Sequence, residues 1–416
     1  MRFCARFSIG ILTAVFAAAL TPAAAHAEWR EATSQHFIVV SEGSESQLRD
    51  QSRKLEAVHW LMGVASSQGD TTSGRRVRIY MLDTAAMVRS RAGVGENAPI
   101  VAIYIHNQLE PTALAARNRP VSDLFHEYGH HFMFEYMGGQ FPPWFVEGFA
   151  EVISTASFER EGAITYGKVA NERRYELQQG TWTATAQMFA ERTSGDRHAG
   201  VASYGQYWLT AHYLLFSPNR RGQLRRYITA INTGTEPDEA AESSFTGGIT
   251  QLDNDLRSYL RAADFRYVAP PLPPEVMREP TIRILRPSEA AAISLQAEAS
   301  RTREVEANEA LAVRVAALAA RFPAEPVIHA LHASVLFSAE KWDEAIAAAD
   351  RGLAIDPAHA RSNALRALAM YRAATQADGP PNRAVMTEID GYLDRARASD
   401  PREPALQMLR RTSRGE

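Results

Sequence analysis

The stretch from Asp123 to Tyr136 constrains this chain most, because it sets ionisable side chains inside an apolar helix. Leu124, Phe125, Tyr128, Phe132, Met133 and Tyr136 recur at helical spacing, the pattern of a buried helix. Between them stand His126, Glu127 and His130, in the order His-Glu-x-x-His. Burying three such groups is costly unless something binds or pairs them. Residues four apart share a helix face, so both imidazoles can reach one cation, with Glu127 beside the first. Zinc suits the pattern, since it takes nitrogen and oxygen ligands in a tetrahedron and can leave one position to water.

The following segment supplies the other candidates. Gly138-Gly139 and Pro142-Pro143 stop the helix and turn the chain. A second helix is expected from Trp144, with Phe145, Phe149, Val152 and Ile153 as its apolar stripe and Glu147 and Glu151 four apart on one face. Folded back as a hairpin, it can lay Glu147 over the two histidines. That completes a two-histidine, one-glutamate site with an open fourth position, hydrolytic rather than structural in type. Glu151 is the competing ligand; its other open role is to orient a ligand histidine through the free ring nitrogen.

These two stretches, His126-Glu127-Tyr128-Gly129-His130 and Trp144-Phe145-Val146-Glu147-Gly148-Phe149-Ala150-Glu151, resemble the paired motifs of the gluzincin metallopeptidases. In the aminopeptidase branch and the bacterial peptidase-MA-like domains, the third ligand lies in a W-x-x-E-G-x-A segment. The resemblance implies one Zn2+ held by His126, His130 and Glu147, with Glu127 as general base. It also implies a tyrosine that stabilises the oxyanion from a later helix. Ala202 to Phe216 reads as that helix, with Tyr204 as first candidate and Tyr207 as reserve. His212, one turn further on, reads as structural. Gly93-Val94-Gly95-Glu96-Asn97 is similar to the G-x-M-E-N segment that grips a free amino terminus in the aminopeptidases, without its methionine; it is equally a glycine-rich turn. The metzincin pattern does not fit, because Met133 and Tyr136 stand where it needs glycine and a further ligand. His36, His59, His106, His131 and His198 show no ligand spacing and are expected to pack or to face solvent.

Residues 1–27 read as a signal peptide: Arg2 and Arg6, an apolar run from Ile9 to Leu20, and Ala25-His26-Ala27 before Glu28. The run is too short to span a bilayer, so no integral membrane segment is expected after cleavage. An exported chain follows, periplasmic or extracellular. Its one cysteine, Cys4, lies in the signal, which leaves no disulfide framework. Losing Arg2 and Arg6 takes the formal charge from −3 to about −5, which argues against nucleic acid as a partner.

Ahead of the motif, residues 36–40, 76–81 and 100–105 read as strands and 45–62 as an amphipathic helix. An edge strand there can hold an extended peptide. Thr229 to Asp264 reads as closing helices of the same unit. Composition then shifts at Ala269-Pro270-Pro271-Leu272-Pro273-Pro274, a stiff, extended linker. Beyond it the chain is alanine-rich, and Pro323 and Pro357 close helices 34 residues apart, the period of tetratricopeptide repeats. Ala333, Leu336, Phe337, Trp342, Ala345, Ala349 and Leu353 follow that repeat's small-and-aromatic pattern, and Asp400-Pro401 closes a third unit after an insertion at Asp378 to Asn382.

The expectation is thus an α+β fold: a signal at 1–27, a gluzincin-like unit of small mixed sheet and active-site helices at 28–268, a linker at 269–286, and an all-α repeat region at 287–416. The function expected is hydrolysis of peptide bonds, with the repeats recruiting a substrate or protein partner. A non-catalytic envelope scaffold acting through the repeats is the alternative, and hydrolysis of a non-peptide amide fits the same motif.

Overall fold

The computed structural model describes residues 28–66, 74–159, 163–190, 203–263, 265–378 and 381–408. The expected signal peptide and His198 lie outside the described residues. The fold is α+β, mainly helical, with a small mixed sheet.

The chain opens with β1 (Arg30–Thr33) and β2 (Phe37–Ser41), then α1 (Glu45–Ser66), β3 (Val77–Leu82), α2 (Ala85–Ala92), β4 (Ala102–Ile105) and β5 (Thr112–Ala116). The helix carrying the histidines is α3 (Val121–Phe132), followed by α4 (Pro143–Ser154) and a hairpin of β6 (Ser157–Phe158) and β7 (Ile164–Thr165). Next come α5 (Asn171–Gln179), α6 (Thr185–Phe189), α7 (Tyr204–Phe216), α8 (Gln223–Asn232), α9 (Pro237–Ser244) and α10 (Gly248–Ala262). Strand β8 (Thr281–Ile284) leads into α11 (Pro287–Arg301), α12 (Val305–Arg321), α13 (Pro326–Ser338), α14 (Trp342–Ile355), α15 (Ala360–Asp378) and α16 (Arg383–Ser399).

Among the described residues the main sheet runs β4-β5-β3-β2-β1-β8, with β2, β3 and β5 parallel and the outer pairings antiparallel. Both faces are covered. Phe37, Val39, Ile79, Met81, Ala113 and Ala115 point into the core formed with α1 and α3, whereas Val40, Tyr80, Leu82, Leu114 and Ala116 point to the opposite side. There α2 contributes Val88 and α11 contributes Ile293 and Ala297. Strands buried on both faces lose the apolar–polar alternation that marks a half-exposed one.

Several local features depart from the expected pattern. Strands β1 and β5 add to those the sequence indicates; Thr112-Ala-Leu-Ala-Ala is buried along its whole length and carries no alternation to read. The helix expected to reach Tyr136 ends at Phe132 and widens into a π-helical turn over Met133–Met137. That turn aims Glu135 at Arg75, a buried pair 2.6 Å apart. The 269–286 stretch, expected as a stiff extended linker, turns through a short 3₁₀ helix at Pro274–Met277 that packs on α1, and it ties the chain together: Pro271 bridges Ala163, and β8 pairs with β1 along its whole length.

The last six helices each pack on the next, and α11, α13 and α15 also touch in turn, forming one layer. Helices α12, α14 and α16 stop just before Pro323, Pro357 and Pro401, as the sequence indicated. Both ends of this array are fixed to the sheet. Gln296 on α11 accepts from the Tyr80 hydroxyl at 3.0 Å, and Asp400 accepts two 3.0 Å bonds from Arg76.

Glycines set how closely the site helices approach. Gly129 on α3 faces Ala150 on α4, where an added Cβ would lie 3.2 Å from the Ala150 Cα. A Cβ on Gly148 would lie 2.4 Å from the Tyr207 carbonyl oxygen on α7. Backbone cannot swing aside as a side-chain tip can. Gly148→Ala is therefore expected to cost about 1–3 kcal/mol by overpacking and to lower the melting temperature. Wild-type melting behaviour of this variant would contradict the close α4–α7 packing.

Candidate metal centre

Helix α3 presents His126 and His130 on one face, and α4 crosses that face at the Gly129–Ala150 contact. Pro143 in the first turn of α4 sets its start, and the Gly138-Gly139 turn before it uses positive φ values that glycine adopts freely. Asn232 locks this turn through Gln140, whose amide and carbonyl it bonds at 2.6 and 2.9 Å.

The result is a triangle of donor atoms. His126 Nε2 and His130 Nε2 are 3.2 Å apart, and Glu147 Oε2 lies 3.4 Å from the first and 3.7 Å from the second. Bonds of zinc length at tetrahedral angles place ligand atoms about 3.3 Å apart, so the three edges suit one ion of that size. Glu147 Oε2 is buried and makes no well-formed hydrogen bond. The three side chains keep 13–15% exposure. Among the described residues this is the group of histidines and carboxylates close enough to hold a metal ion.

The surrounding charges are matched. Burial disfavours the His126 cation, but the carboxylates of Glu147 and Glu151 outweigh it and push the imidazole up to about 10. A metal ion must displace that proton. Burial likewise disfavours charge on Glu147, yet His126 and His130 hold it below the usual carboxylate range. Glu151 faces the other ring nitrogen, Nδ1 of His126, at 3.3 Å. Arg173 on α5 grips Glu151 with two bonds of 2.7 and 2.8 Å. Burial opposes the ionised form of Glu151, and His126 with Arg173 overcomes it, bringing the carboxyl down to about 2. Partial burial of Glu127 raises its carboxyl to about 7 despite the nearby His126 and a 2.7 Å bond from the Tyr104 amide.

Tyr204 opens α7 with its ring 6.3 Å from that of His126 and the Arg173 guanidinium 5.2 Å from its centroid. Burial and the carboxylates of Glu147, Glu151 and Glu127 raise its phenol, which stays protonated and able to donate. Tyr207 is buried one turn later, its ring 6.3 Å from that of Tyr204. His212 bonds the Gly167 carbonyl at 2.6 Å and the Tyr259 hydroxyl at 2.9 Å. Glu96 is exposed on the turn after α2, which Gly93 ends in the left-handed conformation. It makes no hydrogen bond or ion pair among the described residues. Sequence reasoning missed Arg173; α5 is mostly polar, with no fully buried residue, and nothing in its pattern points to the site.

A second histidine cluster lies behind α3. His36 stacks on His59 at 3.6 Å and bonds Glu56 at 2.6 Å, while His59 meets the Tyr128 hydroxyl at 2.6 Å. The expectation that these histidines pack is met for His36, His59 and His131, each less than a tenth exposed. No protein-family model matches the chain, and no curated protein matches its sequence.

Burial pushes His131 down to about 3, His212 to about 4 and His59 well below its usual value. The unfolded chain binds these protons near 6.5, so between about 3 and 6.5 it holds more of them than the folded chain. Their stabilisation is complete above 6.5 and is lost as pH falls. His126 has the opposite sign, with its window between 6.5 and about 10. The urea midpoint of the metal-free protein is expected to drop from pH 7 to pH 5, and an unchanged midpoint would contradict neutral buried histidines.

Proposed function

We propose that the chain is an exported zinc-dependent peptidase of the gluzincin kind, hydrolysing peptide bonds at the His126–His130–Glu147 site. The triangle of donor atoms, with edges of 3.2, 3.4 and 3.7 Å, carries this reading. A bound zinc supplies a Lewis acid for the scissile carbonyl and acidifies a water. Glu127 takes the proton from that water and passes it to the leaving amine, a task suited to a half-buried carboxyl near neutrality. Tyr204 donates its hydroxyl to the oxyanion that develops in the transition state. Glu151 orients His126 through Nδ1, and Arg173 holds Glu151 ionised.

The outer edge of β4, apart from the Tyr104 N–H that Glu127 takes, offers main-chain groups to an extended peptide. Helices α11–α16 resemble tetratricopeptide repeats in period and in their small packing residues, and their surface serves to hold a substrate or protein partner. Export rests on the composition of residues 1–27 and places the reaction in the periplasm or outside the cell. No described helix is long and apolar enough to cross a membrane.

Zinc content and peptide hydrolysis test the reading on residues 28–416. About one zinc per chain is expected in the wild type, and little in Glu147→Ala. Glu151→Ala weakens zinc affinity about 10- to 100-fold. Glu127→Gln keeps zinc and loses turnover. Zinc retained in Glu147→Ala would move the third ligand to Glu151. Absence of zinc from the wild type after metal is supplied would remove the peptidase reading.

A further inference from the structure

The support behind Glu127 carries an inference that rests on the peptidase reading and extends it. Strand β4 is outermost in the sheet, so half of its main-chain groups face away from β5. Ala116 donates its N–H to the Val101 carbonyl, and β4 pairs antiparallel with β5 in register Ile103–Leu114. Alternation therefore turns Val101, Ile103 and Ile105 toward β5, and Ala102 and Tyr104 outward. The outward N–H of Tyr104 is spent on Glu127, reaching Oε2 at 2.7 Å.

The Tyr104 side chain makes a second attachment to the same helix. Its hydroxyl lies 2.9 Å from Nδ1 of His131, with Nδ1 of His106 at 3.4 Å. His131 follows the second histidine of the motif, is 1% exposed, and stacks on Tyr128 with ring centroids 5.5 Å apart. A residue on the edge strand is thus tied to α3 at two points one turn apart: at Glu127 by its main chain and at His131 by its ring.

From this we infer that Tyr104 is a positioning residue for Glu127, with His131 as its anchor. A glutamate side chain has three rotatable bonds, and burial alone does not choose among its rotamers. An N–H at 2.7 Å fixes one carboxylate oxygen and leaves the other for the proton of the water. The fix is only as good as the placement of the N–H, which an edge strand does not secure by pairing on its open side. The ring of Tyr104, held by His131, secures it from the helix itself. His131 acts through Tyr104 and touches no reacting atom.

Two measurements on the full mature chain test this. The first is amide hydrogen exchange in the wild type and in Glu127→Ala. The Tyr104 amide is expected to exchange at least about tenfold faster in the variant, while the Ile103 amide, bonded to β5, keeps its rate. The second is the kinetics of Tyr104→Phe and His131→Gln. Tyr104→Phe lowers kcat about 10- to 100-fold, with KM and zinc content held. His131→Gln retains a hydrogen-bonding partner for the hydroxyl and recovers part of the loss. An unchanged Tyr104 exchange rate in Glu127→Ala overturns the inference. So does a Tyr104→Phe enzyme with wild-type kcat and a lowered melting temperature, the result of a merely structural contact. A wild type that cleaves no peptide removes the peptidase reading by itself, and the amide comparison then decides the Tyr104–Glu127 clamp alone.

Discussion

Charge buried on one helix governs the arrangement around it. Helix α3 and the π-helical turn after it carry His126, Glu127, His130, His131 and Glu135, set among Leu124, Phe125, Tyr128 and Phe132. Desolvating any of these groups costs several kcal/mol unless a partner or a shifted proton compensates. Each answer comes from a different element. Helix α4 supplies Glu147 and Glu151 to His126, α5 supplies Arg173 to Glu151, β4 supplies an amide to Glu127, and Arg75 ahead of β3 reaches Glu135. His131 meets the same demand by staying neutral. An unpaired survivor of any of these pairs would be the costly state, which is why the surrounding elements are held in place so closely.

That compensation depends on distance, and distance is set by small residues. Glu147 reaches two imidazoles because α4 lies against α3 at Gly129 and Ala150, and α4 is in turn pressed on α7 at Gly148. The motif positions that carry no chemistry are therefore part of the site. They decide whether a carboxylate on one helix can lie within 4 Å of histidines on another. Tyr204, at the start of α7, takes its place beside His126 by the same packing.

The sequence made the centre of this arrangement legible and its periphery obscure. His126, His130 and Glu147 announce themselves because carboxylate and imidazole at helical spacing within apolar runs have few uses, and the structure brings them together. The helix-closing prolines at 323, 357 and 401 were readable because proline cannot continue a helix. By contrast, β5 is an alanine-rich strand buried on both faces, without alternation and with Thr112 as its one β-branched residue. Strand β8 follows a proline-rich run whose composition signals only extension. Arg173 and Tyr104 reach the site from polar or unrelated contexts 22 residues beyond Glu151 and 23 before Glu127. Their roles exist only once the chain has folded, since no local pattern specifies a partner at that separation.

The helical array raises a different question of energetics. Its first helix closes one face of the sheet through Ile293 and Ala297, and its far end returns to the sheet through half-buried charges. Arg78 bonds Glu110 at 2.9 Å, and Arg361 from α15 lies 3.6 Å from Glu110 and 3.1 Å from Glu403. Ion pairs of this sort gain little net stability, but breaking one leaves a buried charge uncompensated, so they specify a position more than they strengthen it. An arm on a free linker would trade orientation for reach. Here a proline-rich stretch that could have been such a linker is committed to the sheet through β8. Under the proposed function, a segment held by the array would therefore meet the metal site from one fixed direction. Selectivity would come from geometry rather than from a raised local concentration.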